Sequence, residues 1–372
     1  MKVLWVTGSF YPTNSGGMDT IMHWIALCIR QQGVDLTLLT THEEEEAPVR
    51  PDRWYETDFG KIKYVSTLFH YFPVRLILAA WKAVISHRYI HLCNIFYPSS
   101  IAVATFAVLL RREVLWSVHG ELDPWAIQHR SYKKRPFLWF IKTFLYRNVI
   151  FHATCPEEVA YIQSAFGKDA KTILIPNYIL LPKKETVTSE EKYLLFVGRI
   201  HEKKGVDRLI DGLAKSDHFL NSDFSLKIVG DYENDYGQSL VEQVRTLGLD
   251  KKVLFLGKKE GAEKFQLFAG AYCSIMPSIT ENFGMVVVES LSQGTPVIAS
   301  TGTPWQVLEQ EQAGLWVDPE AAPLTAAIDQ ILTLSPDAYQ AMRHQSYQLV
   351  CRDFDMNKNI HKWLEVYQNI YA

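Results

Sequence analysis

The sequence predicts an α/β fold built from two doubly wound parallel sheets, one in each of two domains. Three observations carry this prediction. At 372 residues the chain exceeds what a single hydrophobic core organises. Two blocks of alternating strand and helix signals follow one another, each opening on a buried-type strand, "KVLWVTGSF" in the first and "YLLFVGRI" (193–200) in the second. Between them, "IPNYILLPKKETVTSEEKY" (175–193) is rich in Pro, Lys, Glu and Thr and reads as a solvated linker, which puts the boundary near Tyr178.

In the first block the opening strand leads through Gly16 and Gly17 into a helix-like run, "MDTIMHWIALCIRQQG", stopped by Gly33, and then into the strand "VDLTLLTT". That is a βαβ unit. The strand candidates "KIKYVST", "YIHLCNI", "EVLWSVHG" and "NVIFHATC" continue it, spaced by helix-length segments as a parallel sheet requires. In the second block "GVDRLIDGLAKS" and "YGQSLVEQVRTLG" read as helices, and "FSLKIVGD", "VLFLGKK", "CSIMPS", "TPVIAS" and "AGLWVDP" as strands. "DFDMNKNIHKWLEVYQNIYA" (353–372) reads as a turn and a terminal amphipathic helix. The run of four glutamates at 43–46 reads as an exposed loop, because four adjacent carboxylates cannot converge on one cation from a single loop.

Composition narrows the function classes. A net charge of -3 gives no general attraction to nucleic acid, and 48% hydrophobic with 21% charged residues is ordinary for a globular protein. Five scattered cysteines (Cys28, Cys93, Cys155, Cys273, Cys351) with no C-x-x-C pair fit neither a disulfide framework nor a zinc site, and suit a reducing cytoplasm. The longest uncharged apolar run, "IAVATFAVLL" (101–110), is half a bilayer span, so no transmembrane helix is expected. The N-terminus lacks the long apolar core of a secretory signal.

Four groups of residues could carry chemistry. In "ITENFGMVVVESLSQGTPVIAS" (279–300), a helix starting near Gly284 leaves the amides from Asn282 onward, with Phe283 and Met285, pointing at a ligand. Glu281 then precedes that helix and Glu289 lies about a turn inside it, two acceptors for the paired hydroxyls of a ribose or hexose. Alone, this pattern reads equally well as a capping region with a solvated glutamate. "VGRIHEKKGVDRLI" sets Arg199 at a strand end and Lys204 before Gly205, where a helix starts, which suits a diphosphate. Two exposed bases in a polar turn are the plainer alternative. Gly16 and Gly17 permit close backbone approach to a phosphate or form only a tight turn, and they are not the G-x-G-x-x-G fingerprint. His119 follows a strand directly, at the carboxyl edge where open α/β sheets bind ligands, or it is a structural histidine.

Two further features stand apart. Asp353 and Asp355 have a spacing that elsewhere holds a divalent metal, but their place before the terminal helix makes capping the better reading, and no metal is assigned. From Pro124 to Pro156 there is no acid, while Arg130, Lys133, Lys134, Arg135, Lys142 and Arg147 alternate with aromatic residues. Three readings of 125–147 stay open: contact with anionic lipid, a core helix with a basic rim, and stacking of a sugar acceptor.

In order along the chain, "FVGRIHEKKGVDRLI", "IVGDYEND", "VLFLGKK", "PSITENFGMVVVESLSQGTPVIAS" and "AGLWVDP", supported by "NSGGMD", "VHGE" and "IPNYI", resemble glycosyltransferase family 4. The resemblance covers nearly the whole chain. It implies the GT-B fold: two Rossmann-like domains facing a central cleft, 1–178 on the acceptor side and 179–352 on the donor side, with the terminal helix (353–372) returning to the first. It implies that Arg199 and Lys204 bind the donor diphosphate and that Glu289 accepts from the ribose. Glu281, with the amides of Asn282, Phe283, Gly284 and Met285, would hold the transferred sugar. Gly17 would lie near the distal phosphate, His119 over the sugar, and the backbone around Lys258 at the nucleobase. Asp19 stands where many relatives have Glu, and Tyr178 where many have Gly.

The activity so implied is retaining transfer of a hexose from a nucleotide diphosphate sugar, UDP-glucose being a typical donor, to a hydroxyl acceptor of a glycan or lipid-linked kind. No cofactor or metal is expected; the attack comes from the same face and the leaving phosphate takes the acceptor proton. The place of action would be the cytoplasm; of the three open readings of 125–147, lipid contact would add a peripheral position at the inner face of the membrane. A GT-B nucleotide-sugar epimerase and a non-catalytic nucleotide-sugar-binding protein are the alternatives; the first needs acid and base side chains around the sugar, which the motifs do not display.

Overall fold

In the computed structural model, residues 1–12, 17–42, 49–67, 69, 72–128, 131–187 and 191–369 are described; Gly16, the glutamates at 43–46 and Arg130 lie outside them. The chain divides into two units, Met1–Leu180 with Met356–Ala372, and Leu181–Asp355.

The first unit holds strands β1 (Lys2–Val6), β2 (Asp35–His42), β3 (Trp54–Thr57), β4 (Gly60–Ser66), β5 (Tyr89–Cys93), β6 (Glu113–Ser117), β7 (Val149–Ala153) and β8 (Thr172–Leu174) in the order β3-β4-β2-β1-β5-β6-β7-β8. Every neighbouring pair is parallel except β3 with β4. The sheet is therefore mixed, where the sequence predicts a purely parallel one. Strand β3 is only four residues, Trp-Tyr-Glu-Thr, exposed on alternate residues, so it lacks the apolar run that marks the others, and a two-residue turn before Gly60 folds it back. The helices are α1 (Gly17–Gln31), α2 (Val74–Ser86), α3 (Pro98–Leu109), α4 (Pro124–Gln128), α5 (Ser131–Phe140) and α6 (Pro156–Phe166). The basic aromatic segment 125–147 is not one helix: α4 and α5 are separate, and α5 runs into a wide turn at Ile141–Leu145 and a tight one at Tyr146–Asn148.

The second unit has β9 (Tyr193–Val197), β10 (Ser225–Val229), β11 (Val253–Phe255), β12 (Cys273–Met276), β13 (Val297–Ser300) and β14 (Gly314–Val317), all parallel, in the order β11-β10-β9-β12-β13-β14. This is the doubly wound order in which the direction of winding reverses between the first strand and the fourth. Its helices are α7 (Val206–Leu213), α8 (Asp217–Leu220), α9 (Asp235–Thr246), α10 (Gly261–Gly270), α11 (Met285–Ser292), α12 (Val307–Gln310), α13 (Ala321–Leu332) and α14 (Pro336–Leu349). Local chemistry fixes several starts: Asn234 accepts from the Gly237 amide at 2.9 Å to begin α9, and Ser216 from Phe219 at 3.0 Å to begin α8.

The last helix, α15 (Met356–Asn369), belongs to the first unit. The Met356 amide donates to the Ile179 carbonyl at 2.9 Å, and Lys362 Nζ donates to the Tyr178 hydroxyl at 3.1 Å. The segment read as a linker is thus solvated only in its later part. Ile175, Asn177, Tyr178 and Ile179 are buried, because its first residues are apolar and form the seat of α15. Farther along α15, a chain of hydrogen bonds ties Tyr367 to the sheet. Trp5 Nε1 donates to the Tyr367 hydroxyl at 3.0 Å, which bonds His91 Nδ1 at 2.7 Å. His91 Nε2 meets Ser117 Oγ at 2.7 Å, Ser117 Oγ meets His152 Nδ1 at 2.8 Å, and His152 Nε2 meets the Ile175 carbonyl at 2.9 Å. Burial lowers the pKa of both histidines, so both rings are neutral. Working back from Ile175, whose oxygen only accepts, His152 donates from Nε2, Ser117 donates to His152, and His91 donates from Nε2 to Ser117. Every proton in the chain is then placed.

Asp353 pairs with Arg352 at 2.8 Å, and Asp355 directly precedes the first residue of α15, buried at a capping position. Among the described residues no group of His, Cys, Asp or Glu is arranged to hold a metal, and no helix is long and apolar enough to cross a membrane.

Candidate functional site

In the second unit, three loops leave the carboxyl ends of the adjacent strands β9, β12 and β13 and are laced together by backbone. The Ile279 amide donates to the Lys203 carbonyl at 2.8 Å, joining the β12 loop to the β9 loop; the Glu281 amide donates to Gly302 at 2.9 Å, joining it to the β13 loop. Glycine makes this lacing feasible at Gly205, which has a left-handed φ of 65° and so little room that a Cβ would strike the Pro277 carbonyl oxygen.

The polar side chains sit on this frame. Lys204 closes a tight turn over Glu202–Lys204, begun by His201 Nδ1 accepting from the Lys203 amide at 3.1 Å, just before α7. Its Nζ donates to Glu281 Oε1 in a half-buried ion pair. The sequence motif does not show this pairing: the backbone lacing brings the carboxylate of the β12 loop against Lys204. Arg199, two residues past β9, is exposed and has no ion pair among the described residues.

The start of α11 supplies the donors. Gly284 is its N-cap with a left-handed φ of 79°, and a Cβ there would lie 2.6 Å from Met276 Sδ. The N–H groups of Asn282, Phe283, Gly284 and Met285 donate to no acceptor among the described residues. The loop is held from behind: Trp305 Nε1 donates to the Phe283 carbonyl, and the Phe283, Trp305 and Phe354 rings pack with centroids 5.0–5.9 Å apart. Glu289, in the second turn of α11, is 6% exposed and takes a hydrogen bond from Lys264 Nζ of α10 at 2.7 Å. Burial pushes its carboxyl pKa up, against the opposing pull of Lys264. Sequence reasoning missed Lys264 entirely; an isolated lysine on a helix 25 residues upstream carries no local signal. Lys258 lies beyond β11, exposed and paired with Glu260 at 2.7 Å, and no described hydrogen bond or ion pair links it to the Lys204–Glu281 pair.

In the first unit, Gly17 is the first residue of α1, and Asp19, two residues on, is buried and accepts from Ser9 Oγ at 2.9 Å. His119 lies two residues past β6 with a left-handed φ of 50°, followed by Gly120 at 78°. Two successive left-handed residues, one of them not glycine, need an external tie. Glu158 of α6 supplies it: Oε1 accepts from the Gly120 amide, while Oε2 accepts from the Thr154 amide at 2.7 Å and its hydroxyl at 3.0 Å. Glu121 ties the next loop similarly, accepting from Asn94 Nδ2 at 3.2 Å and from the Ile95 and Phe96 amides. Burial, with His152 adding to it, pushes the His119 pKa down to about 3, so the ring is neutral at ordinary pH. Its Nε2 is buried and has no hydrogen-bond partner among the described residues. A buried imidazole nitrogen left unsatisfied beside a sheet edge is an atom that a ligand hydroxyl would complete.

Comparison with known proteins identifies the family. A profile described as "Glycosyl transferases group 1" matches residues 179–349, and one described as "Glycosyl transferase 4-like domain" matches 16–178. An uncharacterized glycosyltransferase of Methanocaldococcus jannaschii is 34% identical over 149 residues, 40% of this chain and 37% of that protein. The matched region spans only about 37–53% of the length of such curated relatives. Among solved structures, Anabaena HepE in complex with UDP and glucose superposes with a TM-score of 0.80 at 19% identity, over 99% of this chain and 100% of that one. Sucrose-phosphate synthase from Thermosynechococcus elongatus does so with 0.79 at 20% identity, over 100% and 99%. At those identities the likeness concerns the fold.

Proposed function

Because the chain belongs to the glycosyltransferases of family 4 type with the GT-B fold, we propose that it moves a hexose from a uridine diphosphate hexose to an acceptor hydroxyl, with retention of anomeric configuration and without a metal. The observation that carries this reading is the second unit's loop frame, where the Lys204–Glu281 pair, Arg199 and four amides at the start of α11, the last two groups without partners among the described residues, share one sheet edge. That edge is where doubly wound sheets take their ligands.

Each group has capacity left for a ligand. Lys204 spends one ammonium N–H on Glu281 and keeps two for diphosphate oxygens, while Arg199 offers its full fork of donors. Glu281 Oε2 remains for a sugar hydroxyl, and the amides of 282–285 face the same ligand. Glu289, oriented by Lys264, accepts from the ribose hydroxyls. Gly17 and the backbone around Lys258 keep the roles of phosphate and nucleobase contacts. His119 is neutral and offers Nε2 to a hydroxyl of the transferred sugar. As the glycosidic bond breaks, charge accumulates on the departing diphosphate, where Arg199 and Lys204 stabilise it; the acceptor attacks from the same face and its proton passes to the leaving phosphate. Glu281, engaged by Lys204, serves as a binding group rather than a nucleophile. The acceptor is a growing glycan or a lipid-linked sugar, and the reaction runs in the cytoplasm.

The test is UDP release from a panel of UDP-, GDP- and ADP-sugars with simple acceptors, with and without EDTA. A UDP-hexose should be turned over, EDTA should change nothing, and Arg199→Ala should lower kcat by roughly a hundredfold or more. UDP binding with no turnover of any sugar overturns transfer, and loss of activity in EDTA overturns metal independence.

A further inference from the structure

Helix α2 is apolar on two opposite faces. Leu76, Ala80 and Val84 pack into the core, and Val74, Leu78, Trp81 and Ile85, at spacings of four, three and four residues, are each 45–58% exposed. A helix that buries one stripe and presents a second large apolar stripe to water is a candidate docking face, and none of the described residues covers it. The outer stripe continues across its neighbours. Trp81 stacks on Phe106 of α3 with centroids 4.6 Å apart, and Phe106 lines a groove of about 320 Å³ with Phe72, Ile101, Phe137 and Phe140. Beyond the groove, Trp139 and Phe144 are 63% and 54% exposed.

Charge identifies the occupant. From Phe59 to Arg112 the sequence has no acidic residue and seven bases, Lys61, Lys63, Arg75, Lys82, Arg88, Arg111 and Arg112, although the whole chain carries -3. The stretch from Pro124 to Pro156 also lacks acids. Lys82, Lys133, Arg135 and Lys142 are exposed and have no acidic partner among the described residues. We propose that the outer face of α2, continued through the α3–α5 groove, docks on an anionic phospholipid bilayer, with the indoles of Trp81 and Trp139 entering the headgroup region and the lysines meeting lipid phosphates. Arg75 pairs with Asp52 and Lys61 with Glu56, but a second copy of the chain still fits poorly, because a two-fold contact would set the unneutralised Lys82, Lys133, Arg135 and Lys142 against one another.

This extends the lipid contact expected of 125–147 to α2, and it is independent of the transfer reaction, since binding is read without substrate. The experiment is flotation of the whole protein with vesicles of phosphatidylcholine alone or mixed equally with phosphatidylglycerol, at low and high salt. The wild type should float with the anionic vesicles, and less so at high salt. Leu78→Glu with Ile85→Glu, both on the water-facing stripe, should abolish flotation while leaving thermal unfolding and UDP affinity unchanged. Lys82→Gln, Lys133→Gln and Lys142→Gln should each weaken it by about fivefold. Equal partition into both vesicle types, or none into either, overturns the proposal. So does a stable dimer in solution that Leu78→Glu breaks, which would assign the face to a second copy.

Discussion

Glu281 and Glu289 are eight residues apart in one motif, yet the structure gives them different surroundings. Glu281 sits in a loop against Lys204, and Glu289 is buried in a helix against Lys264. Replacing Glu289 with Ala should therefore lower UDP affinity by tenfold or more in calorimetric titration, while Glu281→Ala should spare UDP affinity within a fewfold and instead reduce transfer. Equal losses of UDP affinity would refute the division. His119 yields a pH prediction. Its folded pKa of about 3 lies below the ordinary value of 6.5, so below pH 6.5 the unfolded chain takes up a proton that the folded one refuses. The stability present above pH 6.5 is lost as pH falls toward 3. Relative to His119→Asn, a residue that tolerates the left-handed backbone, the wild type should lose about 2 kcal/mol between pH 6.5 and pH 5 in urea unfolding.

Where elements meet, the turn between β9 and α7 decides the geometry of the candidate donor site. Gly205 and Gly248 have nearly the same φ, 65° and 69°, but a Cβ at Gly205 meets the Pro277 carbonyl whereas none of the structure lies within 4 Å of one at Gly248. Gly248→Ala should cost about 1 kcal/mol of strain. Gly205→Ala should cost roughly 2 kcal/mol more and weaken UDP binding, because only movement of the turn carrying Lys204 relieves the clash. The start of α11 and the places of Glu281, Gly284 and Glu289 were legible in the sequence because caps and glycines act locally. The Lys264–Glu289 and Glu158–Gly120 contacts were not, being made by tertiary packing between segments whose composition announces nothing. Helix α2 was illegible for another reason: "VRLILAAWKAVIS" is apolar all round, and periodicity cannot tell a face turned to the core from one turned to water. Tyr178, noted in the sequence only as a departure from a usual glycine, turns out to be buried beneath α15, where its hydroxyl receives Lys362.

For the whole molecule, the two-block reading of the sequence corresponds to two sheets with the same winding reversal, between β1 and β5 in one unit and between β9 and β12 in the other. The antiparallel β3 was missed because a four-residue edge strand, two aromatics followed by Glu and Thr, has no apolar run to find. The discontinuous first unit has a temporal consequence. Tyr367 and the buried Trp363 complete a core whose other members lie before residue 181, yet the 175 residues of Leu181–Asp355 come between. During synthesis the second unit can finish folding while the first still lacks its last helix, with His91 and Trp5 waiting for Tyr367. The half of the protein made first is thus the half completed last, and until then its sheet stays open on the side where α15 will lie.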